Sequence, residues 1–154
     1  MNAWLAGIRF VHVIASAGLF GAMGYSIGVV QPRARRFFQK PADFEEFTAF
    51  ISHGARWKMI GTLGLIAVTG ALLVIFHPHE ADHRWLAIIA AKMLVLLIAT
   101  TVFCYASWRL WPARIFASPE EIPVFQRRFR MVGYAMITMV VLEFVLAAVA
   151  HAFK

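Results

Sequence analysis

Four apolar stretches, each long enough to cross a bilayer, constrain this chain more than any other feature. A hydrocarbon core of ~30 Å and a helical rise of ~1.5 Å per residue require roughly 20 mostly apolar residues. The stretches run from about Trp4 to Val30, Trp57 to Phe76, Trp85 to Trp111 and Phe129 to His151. Pro32, Pro78 and Pro112 follow the first three and are expected to close them. Tryptophans at several ends suit the membrane interface, where an amphipathic ring is half wetted. The expected fold is therefore all-α, an integral membrane four-helix bundle formed by residues 1–154 as one domain. Composition agrees, since 61% hydrophobic residues and a mean hydropathy of +0.70 exceed what a soluble domain of this size can bury. Cys104 is the sole cysteine and lies inside the third stretch, which excludes a disulfide within one chain. The N-terminus has neither a basic start nor a cleavage site ending the apolar run, so the first span is expected to be retained.

The net charge of +7 would suit nucleic acid if it were spread over one surface, but it is confined to loops. Arg33, Arg35, Arg36, Lys40, Arg56 and Lys58 lie between or beside spans one and two, and Arg109, Arg114, Arg127, Arg128 and Arg130 between or beside spans three and four. Only Arg9, Arg84 and Lys154 lie toward the other side. The positive-inside rule then places both termini outside, with the lipid bilayer and no nucleic acid as partner. Within the first basic loop, residues 41–51 put Phe44, Phe47 and Ile51 on one helical face and Glu45 and Glu46 off it. This predicts a short amphipathic helix, either at the inner interface or as an extension of span two. Gly21, Gly24 and Gly28 in span one and Gly61, Gly64 and Gly70 in span two predict close helix approach, within the chain or in a homodimer. No internal repeat is evident.

Ionisable residues inside a span are costly and mark candidate sites. His12 lies eight residues inside Trp4, Lys92 seven inside Trp85, and Glu143 eight inside His151. Thr69 lies eight before His77, so each span places a polar side chain ~11–12 Å below the outer boundary. Two readings follow. Lys92 and Glu143 form an ion pair that fixes packing, with His12 hydrogen-bonded nearby, or the layer holds a cofactor, metal or proton. Snorkelling of Lys92 toward the surface is a further alternative. Arg9 stands one turn above His12 and would receive an anionic group or meet lipid phosphate, and Ser16 stands one turn below.

A second constellation is the outer loop, with His77, His79, Glu80, Asp82 and His83 within eight residues and His151 on the same side. Imidazoles suit copper or zinc, and His-x-His brings two donors close. Met23, Met59, Met93 and Met131 are scattered, which argues against a thioether relay for copper(I). No Gly-rich phosphate loop, nucleophile triad or Cys-x-x-Cys pair is present, which leaves hydrolase and thiol-redox chemistry unsupported.

The segment from His12 to Ala22 resembles the first helix of the copper-resistance D membrane proteins, a histidine followed about nine residues later by small residues. Leu19 and Ala22 stand where that family usually has Trp and Gly. Thr69-Gly70 is similar to its Thr-Gly step, and Ala91-Lys92-Met93-Leu94 with the later Arg109-Leu110-Trp111-Pro112 to its third helix. The last helix, from Phe129-Arg130, is similar too, though Glu143 lies deeper than that family's acidic residue. More distantly, the first-helix histidine and third-helix lysine resemble the heme-containing membrane protoporphyrinogen oxidases. The first resemblance implies copper uptake or delivery across a bacterial inner membrane. The second implies heme b and a redox role. An accessory subunit of a larger membrane complex is the third expectation.

Overall fold

The computed structural model describes residues 3–76 and 83–152, which form five helices. They are α1 (Ala3–Phe37), α2 (Pro41–Ser52), α3 (Ala55–Ile75), α4 (His83–Ile115) and α5 (Ile122–Ala152). All but α2 are long and apolar enough to cross a membrane. The all-α membrane architecture expected from hydropathy is what forms. The chain divides into two compact units, Met1–Phe76 and His77–Lys154. In the first, α3 packs antiparallel to α1; in the second, α5 packs antiparallel to α4.

Few side chains are deeply buried. Leu19, Leu63 and Ile66 are so in the first unit, and Ala99, Leu110, Met136 and Val140 in the second. Phe10, Val13, Ile14, Leu94 and Leu97 are exposed. Lipid tails solvate such faces as well as a protein core does, so an apolar exterior carries no penalty there.

Three helix ends depart from the expected ones. Pro32 and Pro112 do not close their helices: α1 continues to Phe37 and α4 to Ile115. A proline ring clashes with the carbonyl four residues back and lacks the N–H that would bond it. Here the preceding turn widens into a π-helix, over Ser26–Val30 and over Ala106–Leu110. Gln31 N–H reaches Ser26 O and Trp111 N–H reaches Ala106 O, each an i→i−5 bond. The fourth span also begins earlier than expected, at Ile122. The helix over Pro41–Ser52 is separate from α3, because Gly54 adopts a left-handed φ of +72° and breaks the path.

These π turns expose a repeat that the sequence reading missed. His12, Tyr25 and Pro32 stand in α1 at the spacing that Lys92, Tyr105 and Pro112 keep in α4. In the returning helices Arg56-Trp57-Lys58-Met59-Ile60-Gly61 matches Arg128-Phe129-Arg130-Met131-Val132-Gly133. The two units share this pattern as helical hairpins, and the first is longer in its connection, where α2 sits.

Candidate functional site

The first unit builds its polar site from one residue of α1 and two of α3. His12 Nδ1 lies 2.8 Å from Thr69 Oγ1. Thr69 is 6% exposed, and its hydroxyl is 2.6 Å from Leu65 O and 3.2 Å from Ile66 O. A hydroxyl has one proton and a carbonyl oxygen only accepts, so the Thr69 proton goes to Leu65. Thr69 Oγ1 must then accept from His12 Nδ1–H. This network assigns the Nδ1–H tautomer and leaves the lone pair on Nε2. A histidine whose one nitrogen is tied by a hydrogen bond is in the state that ligates metal through the other.

Gly70 makes room for this ring. A Cβ built there would stand 3.2 Å from His12 Cε1 and 3.7 Å from Nδ1. Gly21, Gly24, Gly28, Gly61 and Gly64 behave differently, since a Cβ at any of them would meet nothing within 4 Å. Within each hairpin the close approach expected along both glycine rows is thus not found at these five positions, and Gly70 is seated against a side chain. Ser16 Oγ donates to His12 O at 2.8 Å, one turn along α1.

The second unit holds an ion pair at the equivalent level of its own hairpin. Lys92 Nζ lies 3.6 Å from Glu143 Oε2 and 3.5 Å from Glu143 O, with both side chains about a quarter exposed. Glu143 Oε1 is buried and has no hydrogen-bond partner among the described residues. Lys92 therefore turns to its partner helix and does not snorkel. Of the expected layer, His12 meets Thr69 in one unit and Lys92 meets Glu143 in the other.

Arg9 is exposed, and His83 is exposed at the first residue of α4. His77 and His79 lie outside the described residues, as does most of the proposed metal loop. Among the described residues no group of three or more His, Cys, Asp or Glu could hold a metal ion.

Arg114 was read only as a loop cation, yet it is 8% exposed. Its guanidinium lies 5.6 Å from the Trp111 ring centroid and 5.1 Å from that of Phe129, and these two rings meet edge to face at 5.7 Å. The i, i+3 spacing of Trp111 and Arg114 was legible, whereas their meeting Phe129 across the hairpin was not. At the other end of the first unit, Trp4 and Phe76 pair edge to face at 4.7 Å.

Comparison with known proteins gives no match: no family model fits the chain, and no curated protein or solved structure matches it.

Proposed function

We propose that this chain is a metal-handling protein of a bacterial inner membrane that takes up or delivers copper through His12. The observation that carries this reading is the tautomer that Thr69 imposes, with Nδ1–H tied at 2.8 Å, which makes Nε2 the nitrogen that would donate to a Lewis acid. Its position inside an apolar span supports it, because a neutral imidazole there is less costly than a charged ligand. The resemblance to copper-resistance D proteins at His12, Thr69-Gly70 and Lys92 points the same way. His12 supplies one donor. The surrounding bilayer is one partner, and a second copy or a larger membrane complex is another.

The second reading is a b-type heme protein with a redox role. It is favoured by the single imidazole, because a porphyrin brings four nitrogens of its own and asks the chain for only axial ligands. His12 would hold the iron, and electron transfer is what the heme would supply.

Purified protein tests both through its metal content and visible spectrum. Stoichiometric copper in colourless protein supports copper handling, and a Soret band supports heme. His12→Ala should abolish either signal while the protein stays folded and inserted. Neither signal in metal-replete cells refutes both and leaves an accessory role.

A further inference from the structure

A similar short motif, a cation on each side of an aromatic ring, stands within the first three turns of each returning helix, and nothing in the metal reading uses it. In the first unit it is Arg56-Trp57-Lys58, in the first turn of α3. Trp57 is 70% exposed and Lys58 is exposed. In the second unit it is Arg128-Phe129-Arg130, with both arginines exposed and Arg128 also 5.8 Å from the Phe125 ring centroid. Phe129 is more covered, because Trp111 and Arg114 pack on it.

The depth of the motif follows from each hairpin by itself. Trp4 and Phe76 meet at one end of the first unit, and the 21 residues of α3 span ~31 Å, about the hydrocarbon thickness. Its first turn therefore reaches the opposite headgroup layer. In the second unit Arg130 lies 13 residues before Glu143, close to the 11 that separate Lys58 from Thr69. Neither helix carries Asp or Glu between the motif and its polar residue.

We propose that each triplet binds the headgroup of one anionic phospholipid in the leaflet at the basic face. The cations meet the phosphate and the aromatic ring lies at the glycerol level, the division of labour that interfacial aromatics and juxtamembrane cations follow elsewhere. The motif's presence at a similar place in both hairpins sets it apart from the general excess of positive charge on that face.

The test is native mass spectrometry of the full chain, titrated with phosphatidylglycerol and with phosphatidylcholine of the same acyl chains. Two cations per triplet predict a roughly 30-fold preference for the anionic lipid. They also predict saturation at two tightly held lipids per chain. Arg56→Gln with Lys58→Gln should remove one, and Arg128→Gln with Arg130→Gln the other. Arg33→Gln with Arg36→Gln, an equal charge loss on exposed positions of α1, should remove neither. Equal affinity for the two lipids overturns the proposal, as does an equal loss in the control variant. Displacement of the lipid by millimolar inorganic phosphate also overturns it, since that would mark a site for free anions. Should a variant misfold, the selectivity and stoichiometry of the unsubstituted protein still decide the matter.

Discussion

Replacing Gly70 with alanine tests the geometry of the His12 site without touching any polar atom. The new Cβ would lie 3.2 Å from His12 Cε1. Carbon atoms rest at ~3.5–4.0 Å, so the imidazole must retreat by a few tenths of an ångström. The neighbouring ring atom Nδ1 is held by the 2.8 Å bond to Thr69, so the ring cannot retreat without straining that bond. Overpacking of this kind costs ~1–3 kcal/mol. Against it stands the gain of alanine over glycine inside a helix, ~0.5–1 kcal/mol. Gly64 lies in the same helix, and a Cβ there meets nothing within 4 Å, so Gly64→Ala receives the gain alone. Subtracting the two variants removes helix propensity and leaves the contact, an expected difference of ~1–3 kcal/mol in favour of Gly64→Ala. The assay is reversible unfolding in mixed micelles, followed by far-UV circular dichroism. Repeating both variants with His12→Ala should abolish the difference, because the obstructing ring is gone. If Gly70→Ala and Gly64→Ala are equally stable with His12 present, the ring is not seated on Gly70 and the tautomer argument falls with it.

Arg114→Ala should destabilise the second hairpin by ~1–4 kcal/mol, two desolvated cation–π contacts at ~0.5–2 kcal/mol each, with Arg114→Lys intermediate, as read by thermal unfolding. Lys92→Met or Glu143→Gln alone should cost ~3–5 kcal/mol at most, since one charge is left without its partner, while the double variant recovers most of the loss in the same assay. Glu121 accepts from Ser118 N–H at 2.9 Å and lies 3.1 Å from Ser118 Oγ, which holds its carboxyl below the ordinary glutamate range. Its folded value is depressed, so its contribution is present above the unfolded value and lost as pH falls through the folded one. Carboxyl chemical shifts followed by NMR on acidification should titrate late at Glu121 and move only part of the way back in Ser118→Ala, which removes the hydroxyl and keeps the backbone N–H.

Spans were legible because twenty apolar residues in a row have few other uses, and α3 ends within two residues of where hydropathy put it. The starts of α1 and α4 and the end of α5 agree as closely, whereas the ends of α1 and α4 do not, because proline was read as a stop. Nothing local in the chain says that the turn before Pro32 or Pro112 will widen to admit the ring. The depth of His12 and Thr69 could be counted from Trp4 and His77, and their hydrogen bond is consistent with that count. Gly70 could not be assigned in this way, since its role depends on the azimuth at which α1 meets α3. The repeat escaped notice because its two similar stretches share few residues and keep different spacings in the two halves, Arg56 to Gly61 lying closer to Arg128 to Gly133 than Tyr25 to Pro32 do to Tyr105 to Pro112. Only the matched π turns align them.

A π turn holds about one residue more than the α turn it replaces, which offsets the helix beyond it by ~100°. Each of the two long helices thus has two azimuthal frames, one for the membrane-embedded part and one for the basic end. Removing one residue from Ser26–Val30 would restore the straight α path and swing Arg33, Arg36 and Phe37 to another side without disturbing His12. The same deletion in Ala106–Leu110 would pull Arg114 off Phe129. The orientation of the polar site and that of the basic end can therefore drift independently in evolution, with the proline as the joint between them.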